Sequence, residues 1–189
     1  MTQHSLSPEL EESPKEWEYI LDDGTPLDEG MSALQKAVRR GDEEMSLYFG
    51  WLILQKYHNV FWKRILTIAS EDVGNADPNA AILCHALHEN YSFIKEKSKY
   101  SSGNVFAMQA LIYLIRCKKN RETDNVLPHI RQKLEDGWKI EVPDWALDCH
   151  TKRGKRMGRT KGDFFGEGCV LENEDGLDKY KGQFDPSRV

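Results

Sequence analysis

The sequence predicts an all-α fold: a compact bundle of about six helices in short-loop hairpins, flanked by an irregular N-terminal arm and C-terminal tail. Three observations carry this. Apolar residues recur at helical spacing, most clearly in the stripe Ala80, Cys84, Leu87, Tyr91 and Ile94, which falls on one helix face. Start and stop signals bracket the apolar runs, such as Asp77-Pro78 before that stripe and glycines at 41, 74 and 137 after others. Strand patterns are scarce, and only Trp138–Val142 alternates briefly.

In chain order, residues 1–30 read as an acidic arm. They hold three of the seven prolines, and their only anchors are Trp17, Tyr19, Ile20 and Leu21, with a turn at Asp23-Gly24. Ser32 is the expected cap of a first helix over Ala33–Arg40, ended by Gly41. Asp42 caps a second, with Glu43 and Glu44 in its first turn, where the helix dipole favours acids. That helix carries Met45, Leu47, Tyr48, Phe49, Trp51, Leu52, Ile53 and Leu54, apolar nearly all round, so a central position is expected.

After a break near His58-Asn59, a third helix buries Phe61, Ile65 and Ile68, leaving Lys63, Thr67, Ser70 and Glu71 outside. The acids at Ser70-Glu71-Asp72, with Asp77, are explained more simply as helix caps than as magnesium ligands. Asp77-Pro78 then starts the stripe helix, on which His85 and His88 are edge residues. A polar loop around Ser101–Asn104 leads into an apolar helix over Val105–Cys117, with Arg116, Lys118 and Lys119 suited to its C-terminus. Val126, Ile130 and Leu134 mark one further amphipathic helix, opened by Asn120 or Thr123 and ended by Gly137. Beyond Pro143, Trp145 and Leu147 could anchor a short helix. The organisation expected is an arm over 1–30, a helical domain over 31–150 and a basic then acidic tail over 151–189.

Composition limits the function classes. No apolar run reaches the roughly 20 residues that cross a bilayer, and Met1–Trp17 is polar, so a cytoplasmic protein with no membrane partner is expected. The cysteines Cys84, Cys117, Cys149 and Cys169 form no CxxC pair and read as reduced thiols. Cys84, His85 and His88 are close in sequence, but the apolar stripe already accounts for Cys84, so no metal and no cofactor is expected. No GxxxxGK loop with a following Ser or Thr, no HExxH and no GxSxG occurs, and no catalytic residue is assigned.

The net charge of −5 is unevenly placed. Acids crowd 9–29 and 163–178, whereas Lys152, Arg153, Lys155, Arg156, Arg159 and Lys161 crowd one short run punctuated by Gly154, Gly158 and Gly162. These six are the candidate nucleic-acid-binding residues: spread cations suit phosphates, and Phe164 and Phe165 could stack on unpaired bases. The competing reading is a solvated loop paired with acids such as Glu167, Glu172, Glu174 and Asp175.

Three stretches carry a family resemblance: SALQKAVRRGDEEMSLYF at Ser32–Phe49, ASEDVGNADP at Ala69–Pro78, and MQALIYLIRCKKN at Met108–Asn120. From Ser32 to His150 the chain resembles the C-terminal domain of the replication-associated recombination protein A family. These are AAA+ ATPases related to clamp loaders and include the Werner-helicase-interacting ATPases. The resemblance implies a helical, non-catalytic oligomerisation module, tetrameric by analogy, with an AAA+ ATPase and DNA as further possible partners near replication and repair. The ATPase domain is expected to be lacking, so ATP hydrolysis is not carried over. Cys117-Lys118 stand where the family has a small residue and proline, which implies a longer helix here. After His150 no family motif can be mapped. The alternatives are a stand-alone, sequence-nonspecific nucleic-acid binder using residues 152–161, and an enzyme with an unrecognised site.

Overall fold

Pro26, rather than Ser32, starts the first helix of the computed structural model, which describes residues 19–98 and 102–188. Residues 1–18, including the expected anchor Trp17, lie outside the described residues. The described residues hold eight α-helices and no strand, only an isolated bridge between Ile20 and Pro26, so the fold is all-α. They fall into two units, one ending at Gln132 and one beginning at Lys133.

In the first unit, α1 spans Leu27–Arg40. Proline at φ −56° is already set for a helix start, and Asp28 and Glu29 sit in the first turn. The expected Ser32 cap is corrected: its hydroxyl accepts a hydrogen bond from Lys36 Nζ (2.9 Å) within the helix. The extra turn is held by packing. A Cβ on Gly30 would lie 2.5 Å from Leu21 Cδ1, and Leu21 is buried while its neighbours Tyr19 and Ile20 are exposed. Gly41, at φ +69°, ends the helix as expected.

Asp42 accepts a hydrogen bond from the Met45 amide (3.0 Å) and caps α2, Glu43–Lys56. Helix α2 packs on α1, on α3 (His58–Ile68) and on α5 (Asn104–Arg116). The close approach to α5 requires Gly50, whose Cβ would lie 2.4 Å from Leu111 Cδ2. Ile53 and Leu54 are buried, but Met45, Tyr48 and Trp51 are exposed, so α2 is not wholly interior. Helix α4, Asn79–Lys97, buries Ala80, Cys84, Leu87 and Tyr91 and packs on α5. Cys84 points into the core while His85 is exposed, and His88 lies against Trp62 with ring centroids 5.0 Å apart. Burial of side chains such as Phe61, Trp62, Ile65 and Leu114 contributes about 1.5–3 kcal/mol each.

Two expectations fail at helix ends. Helix α5 stops at Arg116 and does not run on: Cys117 is extended, and Lys119 Nζ donates to the carbonyls of Leu114, Ile115 and Cys117 at 2.7, 3.0 and 2.6 Å. Those bonds satisfy carbonyls that another helical turn would have used. Likewise Ser70-Glu71-Asp72 is not a capping segment. Ala69–Val73 is a π-helical turn continuing α3, and Asp72 is fully buried. Helix α6, Glu122–Glu135, begins in the first unit, ends three residues into the second, and has no buried residue.

In the second unit, Trp138–Val142 forms no strand. The Trp138 ring instead takes Lys133 Nζ over its face at 3.9 Å. A single 3₁₀ turn, Asp144–Ala146, precedes α7, Lys152–Arg156, and α8, Lys161–Asp163, which runs into a π turn at Phe164–Gly168. Leu147 is buried and Trp145 is exposed. No helix among the described residues is long and apolar enough to cross a membrane.

Candidate functional site

The basic run folds as a helix on a glycine seat. Thr151 caps α7 by accepting a hydrogen bond from the Gly154 amide (2.9 Å). Gly154 itself is buried, and a Cβ there would lie 1.9 Å from the Asp148 carbonyl oxygen. This seat splits the six candidate cations into two groups. Lys152, Arg153, Lys155 and Arg156 are exposed, and none has an acid partner among the described residues.

Arg159 and Lys161 are engaged within the unit. Arg159 is held by Asp144 and by Asp163 (3.3 Å), which raise its pKa, Asp144 most. Lys161 Nζ lies 3.4 Å from His150 Nε2. Asp163 is kept below the usual carboxylate range chiefly by the Thr160 amide, which donates to it at 2.6 Å; Thr160 and Asp163 together form a capping box. Asp148 is likewise lowered, first by the His150 amide at 2.8 Å.

The acids anticipated as partners of the run do not serve: Glu174 pairs with Lys181 at 2.5 Å, and Asp144 and Asp163 take the role instead. The Thr160-x-x-Asp163 spacing was a readable sign of the second of these. Phe164 and Phe165 are half-buried and ring-packed against His150, each other and Phe184, with centroids 4.7, 5.0 and 4.7 Å apart. They build the interior of this unit and are not free platforms for bases.

The first unit holds a polar cluster that sequence reasoning missed. Asp72 Oδ2 accepts a hydrogen bond from Gln35 Nε2 (2.8 Å), and its Oδ1 takes Arg39 Nε. Glu71 Oε1 accepts from Arg39 Nη2 (2.7 Å) and Arg121 Nη2 (3.3 Å). Arg121 Nε stands 3.5 Å from Asp72 Oδ1, near enough to pair without a hydrogen bond. A buried carboxylate is stable only when paired and hydrogen-bonded, and here two arginines and a glutamine meet that need. Arg39, in the first family-like stretch, and Glu71-Asp72, in the second, are what the cluster joins.

A second polar tie links helix ends. Asp77 Oδ1 accepts from the Asn79 amide at the start of α4 (3.1 Å), and Tyr113 donates its hydroxyl to Asp77 Oδ2 (2.6 Å). That bond holds Asp77 low and pushes Tyr113 up to about 12. Beside it, Val105, Met108 and Ile112 line a shallow open cleft on α5. No group of three or more His, Cys, Asp or Glu among the described residues could hold a metal ion.

The apolar stripe expected on α6 is present but uncovered: Val126, Ile130 and Leu134 are 43, 37 and 59% exposed, with Leu127 beside them at 65%. On α2, Met45, Tyr48 and Trp51 form a second exposed row, one helical turn apart.

Comparison with known proteins gives a consistent result. The family described as MgsA AAA+ ATPase C terminal matches residues 41–166, two thirds of the chain. The match therefore runs past His150 and takes in the basic helix, where sequence reading mapped no motif. The chain is similar to replication-associated recombination protein A of Haemophilus influenzae, 32% identical over 130 residues, covering 68% of this chain and 28% of that protein. The protein of the same name from Coxiella burnetii is 28% identical over 129 residues, 67% of this chain and 28% of that protein. ATPase WRNIP1 of Dictyostelium discoideum is 28% identical over 137 residues, 71% of this chain and 15% of that protein. The chain thus spans less than a third of the length of each of these relatives.

Proposed function

We propose, from the premise that this chain belongs to the MgsA AAA+ ATPase C-terminal family, that it is a non-catalytic contact module that assembles with copies of itself and with an AAA+ ATPase. The observation that carries this reading is α6. An amphipathic helix without a buried residue leaves part of its apolar stripe in water, and covering what is still exposed of Val126, Ile130 and Leu134 against a partner would gain about 0.5–1.5 kcal/mol for each side chain. The polar cluster supports a structural rather than a chemical role, since the Asp72 carboxylate is occupied by Gln35 and Arg39. The relatives are named for replication-associated recombination, and we read the same setting for this chain. A tetramer is the assembly that the family resemblance favours.

Sedimentation velocity tests the reading with Val126→Asp/Ile130→Asp. Both side chains are already partly exposed, so the fold is expected to hold. The wild type should sediment as an oligomer, with or without an added ATPase relative, and the variant as a monomer. An unchanged distribution in the variant contradicts α6 as the contact surface.

A second reading has its own observation: four exposed cations without acid partners on the short helix α7. These favour contact with a nucleic-acid backbone, independent of base sequence. Titration of single-stranded and forked DNA tests it. Glutamine at Lys152, Arg153, Lys155 and Arg156 should abolish binding, and undiminished binding would rule the patch out.

A further inference from the structure

We infer that Arg121 is a positioning residue, whose guanidinium, gripped by Glu71 and Asp72 on one side and Asp124 on the other, fixes the start of α6 and so aims its apolar stripe. The inference rests on the reading of α6 as the contact surface. No residue of the helix is buried, so packing does not hold it. Its start is instead tied down by polar groups.

The Asn120 amide donates to the Asp72 carbonyl (2.9 Å), and Asn120 Oδ1 accepts from the Glu122 amide (2.7 Å), covering the first turn. Gly74, at φ +49°, lets the chain come close: a Cβ there would lie 3.0 Å from the Asn120 carbonyl oxygen and 3.4 Å from Thr123 Oγ1. Arg121 then spans the joint. Its Nη2 reaches Glu71 Oε1 at 3.3 Å and also Asp124 Oδ2 one turn into α6, while its Nε stands 3.5 Å from Asp72 Oδ1. A planar guanidinium with donors in fixed directions suits a joint of this kind, because it fixes an angle as well as a distance.

The rest of the cluster makes the role separable from folding. Asp72 keeps Gln35 and Arg39, and Glu71 keeps Arg39, when Arg121 is removed. Arg121 side-chain exposure is 39%, against 0% for Asp72. Loss of Arg121 therefore frees the joint and leaves the buried carboxylate paired.

The test is amide hydrogen exchange on the whole chain carrying Arg121→Gln, with its thermal midpoint and sedimentation measured in parallel. Expected is at least tenfold faster exchange at Asn120 and through the first turns of α6, unchanged exchange at Ile65 and Leu111, an unchanged midpoint and an association constant at least tenfold weaker. Equal exchange at Asn120 in both proteins overturns the clamp. Faster exchange spread evenly over Ile65 and Leu111 overturns it as well, since Arg121 would then be part of the fold's general support. A freed α6 with undiminished association severs the clamp from contact. A wild type that never associates sinks the contact reading, while exchange at Asn120 still decides whether Arg121 holds the helix.

Discussion

Gly154 shows at the scale of one residue how the basic helix is placed. Its missing Cβ is what lets α7 lie against the Asp148 carbonyl, a backbone atom that cannot turn aside. Gly154→Ala should therefore cost the second unit about 1–3 kcal/mol or more, read as earlier proteolysis of that unit, whereas Gly166→Ala, with open space around it and no left-handed backbone, should cost far less. Lys119 is the counterpart in the first unit. Burial holds its ammonium below the usual lysine value, and three carbonyls at the end of α5 accept from it. Lys119→Met should lower stability by about 1.5–3 kcal/mol in urea unfolding, and a change below about 0.5 kcal/mol would show that the bonds are not needed.

Asp148 and Asp163 give the second unit a definite acid response. Both are held below the ordinary carboxylate value, first by the amides of His150 and Thr160 respectively. The unfolded chain then takes up protons before the folded one. Their contribution is complete above about pH 4 and is lost as pH falls through the lowered values. Fluorescence of Trp138 and Trp145 against pH follows this, and Asp163→Asn should flatten the loss. A second unit whose stability rises on acidification would contradict the assignment.

At the scale of elements, a regular apolar period made a helix legible, on α6 too, where the stripe stays exposed. Helices α3, α4 and α5 were readable because each buries one face, so the period of Phe61, Ile65 and Ile68, or of Ala80, Cys84 and Leu87, writes the burial directly. The start of α1 was misread because Ser32 is a good cap in isolation, while packing of Gly30 on Leu21 decides the matter. The end of α5 was misread because Lys119 reaches back to carbonyls that a longer helix would have consumed. Glu71 and Asp72 carry no local sign of their role, because their partners Arg39 and Arg121 lie 32 to 50 residues away along the chain. No local pattern encodes such a pairing.

The basic segment was legible as charge and illegible as structure, for the same reason: Asp144 reaches Arg159 across 15 residues. That difference has a measurable consequence. With four open cations, log K against log salt should fall with a slope of about −3 on single strands and about −3.5 on duplex. Six would give about −4 and about −5.5. A slope in the steeper range would show that Arg159 and Lys161 leave Asp144, Asp163 and His150 to reach phosphate.

For the whole molecule, the central claim is assembly. The first unit has a well-filled interior of α1 to α5, with Leu34, Val38, Ile53, Phe61, Ile65 and Leu111 fully buried, so its exposed apolar rows are not the mark of a core that failed to form. They are surface left over after the core is complete, on α2 and on α6. Light scattering with size separation, run on the wild-type chain over a hundredfold range of concentration, tests this most directly. The mass expected is a multiple of 21.8 kDa at the upper concentrations, near four times that value for the proposed tetramer. A mass fixed at 21.8 kDa throughout, with no rise when an AAA+ relative is added, would contradict it.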